Sequence, residues 1–446
     1  MRILIYGINF SPELTGVGKY TGEMAEWLAA RGHSVRVVTA PPHYPHWEVS
    51  NDYSPWRYRR EQWGSAGRSG STISVLRCPL WVPRAPRGWR RVLHLASFAL
   101  TTVPPMLEQI LWQPEIVLVI EPAFLCAPLA LFVARLCGAP AWLHVQDFEL
   151  DAAFKLGDLS NAPARRWAQA VERLLMRRFD RVSAISDRMV ERLAGKGVDP
   201  SRAIIFRNWV DTSAIHPLAG PSPWREKLGI PNPAVVALYS GSMGKKQGLE
   251  LLAEASQRLA SRPDIHFIFC GDGAYRETLE KSCEVSPNVL FLPLQPPELL
   301  NNLLAMADIH LLPQRAGAAD LVMPSKLTGM LASGRAILAT ADHGTQLAAE
   351  LEGRGMVTPP GDIDAFVSAL LRLADDGSLR RRMGRNARKY AVDHMDREKI
   401  LSRFEGSLLA ACGQSFAQAE ESARGVPVGE FQHLGRLEFP VVVEKK

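Results

Sequence analysis

The chain has few cysteines, and none is spaced as a metal or disulfide site requires. Its 446 residues include six cysteines, without a CxxC pair and without a nearby cluster of histidines. Zinc sites and small disulfide scaffolds both depend on such spacing. We therefore expect no metal site, no disulfide framework and a reducing compartment. The six positions are Cys78, Cys126, Cys137, Cys270, Cys283 and Cys412.

Uninterrupted apolar runs of membrane-spanning length are also missing. The longest apolar stretches, near 116–136 and 92–107, are broken by Glu121 and by Pro104. A lipid-exposed helix needs about 20 consecutive apolar residues, so we predict no transmembrane helix. The apolar run at the amino terminus stops at Gly7, which is too short for a secretory signal peptide. The cytoplasm is therefore the expected location.

Neither sign of charge dominates, because 52 Lys and Arg residues face 46 Asp and Glu residues, for a net charge of +6. The basic residues interleave with proline rather than with base-stacking aromatics, so we expect no nucleic-acid partner. A chain with 47% hydrophobic and 22% charged residues has ordinary globular composition. Its length predicts two to three domains of about 150 residues each.

Short runs rich in Val, Ile and Leu alternate with longer segments of helical period, in two series. Such continuous apolar runs are typical of parallel strands whose sheet is covered on both faces. The first series predicts strands at 3–6, 35–39, 116–120, 141–145 and 181–185. The second predicts strands at 235–239, 266–270, 289–292, 309–312 and 336–340. Both series indicate the α/β class, as two doubly wound units.

A proline-rich stretch after residue 211 separates the two series and is typical of a linker. We predict a first domain over 1–211 and a second over 212–391. A helical segment follows over 392–412. The small and polar residues of 413–446 are typical of a partly disordered tail.

A glycine-bearing loop follows the first predicted strand and precedes a helix. Glycines in such a loop let backbone N–H groups approach an anion or a sugar closely. The spacing of Gly16, Gly18 and Gly22 fits neither the dinucleotide fingerprint nor the P-loop, which excludes both chemistries. An acceptor or phosphate loop and a plain tight turn both remain open. The candidate binding residues are Pro12, Glu13, Gly16, Gly18 and Lys19.

Glycines and lysines also follow two strands of the second series. Lysines beside a glycine-containing helix entrance suit a diphosphate, although a solvated basic turn has the same composition. The turn at 270–273 lies at another strand end, where open α/β sheets bind ligands, or else is a plain connection. The candidates in these two segments are Gly241, Ser242, Lys245, Lys246, Gly271 and Asp272.

Pro324, Ser325 and Lys326 open a further predicted helix, and Asp320 precedes them. A lysine in the first turn opposes the helix dipole, which favours acidic residues there. An anion bound nearby would explain this lysine. We therefore predict that Lys326 binds a ligand rather than solvent.

The predicted strand 141–145 leads into the sequence His144-Val145-Gln146-Asp147. The carboxyl ends of strands border the ligand crevice in such folds. His144 and Asp147 are therefore candidate catalytic residues. A purely structural histidine is the alternative for His144.

Two basic segments contain tryptophan. The first, 81–98, has no acidic residue, and basic amphipathic segments with tryptophan suit anionic membrane surfaces. The second, 165–178, is equally well explained as a solvated helix face. The predicted membrane contacts are Trp81, Arg84, Arg87, Trp89, Arg90 and Arg91.

Together these motifs resemble the family-4 glycosyltransferases of GT-B fold, and more narrowly the bacterial exopolysaccharide transferases of the colanic acid type. The resemblance covers roughly residues 1–410. It is most specific in the segments MRILIYGINFSPELTGVGKYTGEMAEWLAARGH, CPLWVPR, WLHVQDFELDAAF and DLVMPSKLTGMLASGR. It implies two Rossmann-like domains facing a central cleft, with the acceptor bound mainly by the first and a nucleotide sugar by the second. The segment 392–412 is then expected to cross back onto the first domain.

The resemblance also implies a metal-independent transfer with retained anomeric configuration, needing no cofactor, in which basic residues stabilise the leaving diphosphate. It assigns donor binding to the candidates between 241 and 326, acceptor or phosphate binding to those between 12 and 19, and the reacting centre to His144 and Asp147. Ser242 and Gln247 stand near the family's usual Arg and Lys. Gly329 stands where the family has a ribose-binding glutamate.

We therefore expect transfer of a hexose or deoxyhexose, with fucose favoured, from a GDP- or UDP-sugar to a polyprenyl-diphosphate-linked saccharide. The reaction would take place at the inner face of the cytoplasmic membrane. A catalytically inactive GT-B interaction module is one alternative, favoured by Gly329. A nucleotide-sugar 2-epimerase is another, against which the basic segment 81–98 argues.

Overall fold

The computed structural model describes residues 1–13, 16–45, 47–63, 72–84, 88–122, 124–148, 162–244, 247–316 and 323–413. The chain divides into two compact units. The first unit comprises Met1–Asn208 together with the described residues from Ile400 onward, and the second comprises Trp209–Lys399. The boundary therefore falls at Asn208, close to the one expected after residue 211. The predicted tail, apart from Gly413, lies outside the described residues.

Eight strands, among the described residues, form the sheet of the first unit. They are β1 (Arg2–Gly7), β2 (Ser34–Thr39), β3 (Arg59–Trp63), β4 (Ile73–Arg77), β5 (Ile116–Glu121), β6 (Ala141–Val145), β7 (Arg181–Ala184) and β8 (Ala203–Ile205). Their order in the sheet is β3-β4-β2-β1-β5-β6-β7-β8. The strand β3 pairs antiparallel with β4, and the other pairs are parallel. The central strands β5 and β6 are buried throughout, as apolar runs in a covered parallel sheet must be.

Helices connect these strands. They are α1 (Gly16–Ala30), α2 (Trp89–Thr101), α3 (Val103–Trp112), α4 (Ala127–Cys137), α5 (Ala162–Met176) and α6 (Asp187–Gly195). Local sequence sets several of their ends. The Ser186 hydroxyl accepts a hydrogen bond from the Met189 N–H at the start of α6, and α4 ends at Gly138 in the left-handed conformation.

The second unit has a parallel sheet of its own. Its described strands are β9 (Val235–Ser240), β10 (Ile265–Cys270), β11 (Val289–Leu292), β12 (Ile309–Leu312), β13 (Ala336–Thr340) and β14 (Gly355–Thr358), in the order β11-β10-β9-β12-β13-β14. Its helices are α7 (Pro223–Lys227), α8 (Glu250–Arg258), α9 (Arg276–Ser282), α10 (Leu300–Met306), α11 (Lys326–Ala332), α12 (Gln346–Leu351), α13 (Ile363–Asp375) and α14 (Gly377–His394). Apolar clusters lie on both faces of this sheet.

The ten strands expected from the sequence are all present, and the α/β class with two doubly wound units is confirmed. The structure adds β3, β4, β8 and β14. The edge strand β3 has the polar sequence RREQW and exposes much of its length, so no apolar run marks it. The edge strand β14 is short and only partly buried.

The segment 392–412 does not form one helix, because α14 continues to His394 and a new helix, α15, spans Arg397–Ala411. Helix α15 packs within the first unit. The rings of Phe404 and Phe206 stack with centroids 3.7 Å apart, and the His33 ring lies 2.8 Å from a Glu405 carboxylate oxygen. Helix α15 is thus attached to the first unit by an aromatic stack and a hydrogen bond between His33 and Glu405.

Two further findings bear on the sequence expectations. In the described parts of the chain, no helix is both long enough and apolar enough to cross a bilayer. The six cysteines are free, and Cys78, Cys126, Cys270 and Cys283 are buried.

Each sheet has a point where the direction of strand addition reverses. In the first unit it lies between β1 and β5, and in the second between β9 and β12. Connections leave on opposite faces at such a point, which opens a crevice at the carboxyl ends of the strands. Ligand sites are therefore expected where β1 and β9 end.

Candidate functional site

Two glycine turns meet at the carboxyl ends of β9 and β10. The Gly241 N–H donates to the Cys270 carbonyl over 2.9 Å, and the Met243 N–H donates to the Asp272 carbonyl over 2.8 Å. A Cβ at Gly271 would overlap the Gly241 carbonyl oxygen. The two turns therefore pack backbone against backbone, which only glycine permits at this position.

Lys326 brings its side chain to the same place. Its Nζ is enclosed, although part of its aliphatic stem is exposed, and it lies 4.0 Å from the centre of the Tyr239 ring. A Cβ at Gly241 would lie 3.5 Å from this Nζ, so the ammonium sits beside the first glycine turn. It has no hydrogen-bond partner among the described residues. Burial lowers the pKa of Lys326 to about 7.

Two glutamines that follow strands of the second unit were not selected from the sequence as site residues. Gln247 follows β9 and Gln314 follows β12, and the side-chain carbonyl oxygen of each is buried with no partner in the described residues. A Cβ at Gly248 would lie 3.6 Å from the Gln314 backbone, so the two segments are adjacent. Buried polar groups are normally satisfied, and such a cluster indicates a ligand that satisfies them. Gln247 was noted in the sequence only as standing near the family's usual Arg and Lys, and Gln314 carried no sequence signal.

The other expected residues of this site fall into three groups. Ser242 and Asp272 are exposed at the two turns, and the Asp272 carboxylate accepts a hydrogen bond from the Gly273 N–H. Pro324 and Ser325 lead into α11, half-buried and exposed respectively. The predicted residues outside the described part of the chain are Lys245, Lys246 and Asp320.

Gly329 lies in α11 three residues after Lys326. A Cβ at this position would lie 3.3 Å from Leu304 Cδ1, a tight contact that a small movement of the leucine relieves. The absence of a side chain here leaves the ribose-binding carboxylate of the family pattern without an equivalent at this position.

In the first unit, Glu13 organises the loop at the end of β1. One of its carboxylate oxygens accepts hydrogen bonds from the backbone N–H groups of His43 and Tyr44, both over 3.1 Å. The other accepts from the Asn9 side chain over 2.9 Å. A Cβ at Gly18 would collide with the Glu13 side chain. Glu13 therefore fixes the loop rather than facing a ligand, which corrects the expectation that it contacts acceptor or phosphate.

The remaining loop residues are more open. Gly16 adopts a φ of +62° and would bring a Cβ to 3.7 Å from the Tyr44 ring. Pro12 is exposed, and Lys19 lies 3.7 Å from Glu23 in a partly exposed ion pair. The loop thus presents the backbone of Gly16 to a possible ligand, next to the ring of Tyr44.

His144 is a core residue. Its ring is buried, with Nδ1 at 2.9 Å from the Ser183 hydroxyl and Nε2 at 3.0 Å from the Gln146 side chain. Burial lowers its pKa to about 3, so the ring is neutral. Both nitrogens are used inside the protein, which corrects the expectation that His144 acts on a substrate.

Asp147 differs from His144 because it is only half-buried, just beyond the end of β6. The pKa of Tyr44 is raised by burial first, and then by the negative charges of Asp147 and Glu13. Asp147 and Tyr44 are therefore neighbours at the edge where β1 and β6 end.

A cluster of three rings lies beyond Tyr44 and had no sequence signal. The ring centroids of His43 and His94 are 5.1 Å apart, and those of Trp47 and His94 are 5.3 Å apart. His94 lies on α2, far along the chain from the other two. The Arg91 guanidinium, one helical turn before His94, lies 6.0 Å from the Trp47 ring.

The basic tryptophan segment forms α2 and the loop before it. Trp89 is 64% exposed, Arg84 and Arg90 are exposed, and Trp81 and Arg91 are half-buried. Arg87 lies outside the described residues.

The exposed apolar side chains of α2, α3 and α4 are Trp89, Val92, Leu93, Leu100, Val103, Leu107, Leu111, Phe132 and Leu136. Helix α2 contacts α3 and α3 contacts α4, and the exposed apolar side chains of these neighbouring helices are here called the α2–α4 surface.

The second basic segment forms α5, whose Trp167 is 71% exposed. No group of three or more His, Cys, Asp or Glu side chains is placed to hold a metal ion in the described ranges.

Comparisons with known proteins identify the family. Residues 15–209 match the family described as "Glycosyl transferase 4-like domain", and residues 222–390 match "Glycosyl transferases group 1". The putative colanic acid biosynthesis glycosyl transferase WcaI of Escherichia coli K12 is 41% identical over 414 residues, which cover 91% of this chain and 98% of that protein. The chain belongs to the group 1 glycosyltransferases. The resemblance noted in the sequence is thereby confirmed.

Solved glycosyltransferase structures share the fold. A sucrose-phosphate synthase from Thermosynechococcus elongatus has a TM-score of 0.70 at 17% identity, with 92% of this chain and 100% of that chain covered. HepE of Anabaena, solved in complex with UDP and glucose, has a TM-score of 0.64 at 15% identity and the same coverage. This glycosyltransferase therefore has the GT-B class of fold expected from its sequence.

Proposed function

We propose that this glycosyltransferase moves a hexose or deoxyhexose from a GDP- or UDP-sugar to a polyprenyl-diphosphate-linked saccharide, with retained anomeric configuration and without a metal. The product would be a precursor of an exopolysaccharide of the colanic acid type. The observation that carries the proposal is the enclosed ammonium of Lys326, which has no acidic partner among the described residues.

The donor diphosphate is assigned to Lys326 and the glycine turns. An ammonium without a counter-ion is costly in an enclosed site, and a diphosphate supplies the missing negative charge. Charge grows on this diphosphate as the glycosidic bond breaks, so a fixed cation stabilises the transition state more than the ground state. The exposed backbone at Gly241 and Ser242 leaves room for the phosphate oxygens, and Gln247 and Gln314 supply acceptors for donor hydroxyl or N–H groups.

Asp147 is the residue we assign to the reacting centre. Since His144 has no free ring nitrogen, Asp147 is the remaining candidate at the end of β6. A half-buried carboxylate beside Tyr44 is suited to orienting an acceptor hydroxyl.

The proposed acceptor has a lipid part, which the α2–α4 surface suits. Exposed apolar side chains beside Arg84 and Arg90 combine hydrophobic burial with attraction to anionic headgroups. Peripheral association with the cytoplasmic face of the membrane would bring the acceptor to the enzyme.

The donor sugar and base are assigned from the relatives alone. WcaI is named for colanic acid biosynthesis, which favours GDP-fucose, and HepE was solved with UDP and glucose. The experiment below therefore includes both guanine and uracil nucleotides.

The test is the thermal shift of the purified protein with GDP, UDP, ADP and their sugars. A ligand at 100 times its Kd stabilises the folded state by about 2.7 kcal/mol. We expect stabilisation by one base, lost in Lys326→Ala and retained in Lys281→Ala, whose lysine is an exposed partner of Glu277. No shift with any nucleotide, or equal shifts in both variants, would contradict the assignment of the donor site.

A further inference from the structure

The His43, Trp47 and His94 cluster is not used by the donor site or by the proposed catalytic residue. It lies in the first unit, just after β2, and α2 contributes His94. The two histidines are buried, whereas Trp47 is half-exposed. The three rings meet at steep angles of 58° to 69° rather than in a parallel stack.

Hydrogen bonds place a proton on Nδ1 of both histidines. His43 Nδ1 lies 2.9 Å from the Pro41 carbonyl, and His94 Nδ1 lies 2.7 Å from the Trp81 carbonyl. Because a carbonyl accepts, each Nδ1 carries a proton, and in the neutral form of either ring Nε2 is the hydrogen-bond acceptor. Burial, and then the neighbouring His43, lower the pKa of His94 to about 4, so its ring is neutral. Within the described residues, neither Nε2 has a hydrogen-bond partner.

Trp47 adds an apolar face beside these two acceptors. It adopts a φ of +57°, which is uncommon for a residue other than glycine. Its indole lies 6.0 Å from the His43 ring and 5.3 Å from the His94 ring, and the Arg91 guanidinium lies 6.0 Å from its centre. An aromatic face flanked by a few fixed hydrogen-bond acceptors is the composition of a site for a small polar ligand with an apolar face. A pyranose ring has this character, because its C–H face is apolar and its hydroxyl groups donate hydrogen bonds.

The position of the cluster relates it to the reaction. Tyr44, next to His43, faces Asp147 and Gly16, whereas Arg91, next to Trp47, lies on the helix that exposes Trp89. The cluster thus lies between the assigned reacting centre and the start of the α2–α4 surface. The cluster is therefore placed for contact with a saccharide that extends from that surface to Asp147.

We infer that His43, Trp47 and His94 form a subsite for a pyranose ring of the acceptor saccharide, stacked on Trp47 with hydroxyl groups donating to the two histidines. This inference rests on the proposed function, since it concerns the acceptor of the same transfer. It gives Glu13 a positioning role, because the Glu13 carboxylate holds the backbone of His43 and Tyr44.

The test is saturation-transfer NMR on the full chain, with the methyl glycosides of glucose, galactose, mannose and fucose as probes. We expect at least one glycoside to bind the wild type and to bind Trp47→Ala at least ten times more weakly. His94→Asn keeps a donor near the Nδ1 position and removes the Nε2 acceptor, so the same loss is expected without disruption of the Trp81 contact. Trp167→Ala removes a more exposed indole from α5 and should leave binding unchanged.

No saturation transfer to the wild type, or a signal that survives both substitutions, overturns the inference. His94→Asn decides the question if Trp47→Ala does not fold, as checked by circular dichroism. The nucleotide thermal shift is measured on the same variants and should not change. Loss of that shift in the wild type would contradict the donor assignment, whereas the glycoside signal reports on the subsite alone.

Discussion

The ammonium of Lys326 lies 4.0 Å from the centre of the Tyr239 ring and has no acidic partner among the described residues. The ring face stabilises the cation weakly, and burial destabilises it more strongly, which brings the pKa to about 7. Lys326 therefore changes charge near physiological pH.

This pKa predicts a pH dependence of stability. Between pH 7 and 10 the unfolded chain binds more protons at Lys326 than the folded chain, so this residue makes the free energy of unfolding rise with pH. Lys326→Met lacks the effect and is expected to be more stable than the wild type by about 1–3 kcal/mol at pH 6. Urea denaturation of both proteins from pH 6 to 9.5 measures the difference, which should shrink as pH rises. A difference that is constant or grows with pH would refute the buried, unpaired state of the lysine.

The contact between Gly271 and Gly241 predicts a large effect of a single methyl group. Gly271→Ala forces a Cβ onto the Gly241 carbonyl oxygen, and we expect a loss of about 3 kcal/mol or more together with weaker nucleotide binding. Gly344→Ala is the matched control, because Gly344 also has a positive φ but no atom near its Cβ position. It should lose about 1 kcal/mol. If Gly271→Ala and Gly344→Ala lose equal free energy of unfolding in urea denaturation, then backbone conformation, and not the close approach of Gly241, requires glycine at 271.

The attachment of α15 predicts an effect of Glu405. One carboxylate oxygen of Glu405 lies 2.8 Å from the His33 ring, and the other lies 3.2 Å from the Arg31 guanidinium. The Glu405 side chain is almost fully buried. Burial raises the pKa of Glu405, but the bonds from His33 and Arg31 outweigh burial and hold it below its usual value. Glu405→Gln is expected to lose about 1–3 kcal/mol at pH 7.

The sign of the pH effect follows from the lowered pKa. The contribution of Glu405 is present above the usual glutamate value and is lost as pH falls through the folded-state pKa. Urea denaturation measures the free energy of unfolding of the wild type and of Glu405→Gln. The difference between them should therefore decrease as pH falls. Glu284→Gln, at an exposed position, should stay within about 0.5 kcal/mol of the wild type.

The α2–α4 surface predicts binding to anionic vesicles. Trp89→Ser with Arg90→Ser removes one interfacial indole and one charge, and each basic residue contributes about 1 kcal/mol near such a surface. We expect at least tenfold weaker co-sedimentation with vesicles containing phosphatidylglycerol. Arg166→Ser with Trp167→Ser makes the same chemical change on α5 and should have little effect. Equal losses from the two pairs would mean that general basicity, not this surface, binds the lipid.

Much of the fold follows from local sequence. The ten expected strands are apolar runs whose burial needs only a covered parallel sheet, so their pattern identified them without knowledge of their partners. Polar and short edge strands such as β3 and β14 lack that pattern because one side of an edge strand faces solvent. The structure also brings the glycines at 241 and 271 and the lysine at 326 together, because strand ends and helix starts meet at one edge, while their binding of a donor stays a prediction.

The roles of individual side chains depended on contacts between distant parts of the chain. His144 had the sequence context of a catalytic residue, but Ser183 and Gln146 occupy its nitrogens and Phe206 covers its ring. Glu13 was expected to face a ligand, yet it holds the backbone after β2. The cluster of His43, Trp47 and His94 forms only when α2 packs beside the end of β2.

The sequence by itself therefore determined the layered α/β architecture, the family and the edge of each sheet where chemistry is expected. Hydrophobic periodicity and turn residues act over a few positions, which is why they can be interpreted without a structure. Only the tertiary structure decided which polar groups are satisfied within the protein and which are left for a ligand. That distinction depends on pairwise distances between residues far apart in the chain, as for the enclosed ammonium of Lys326 and the occupied ring of His144.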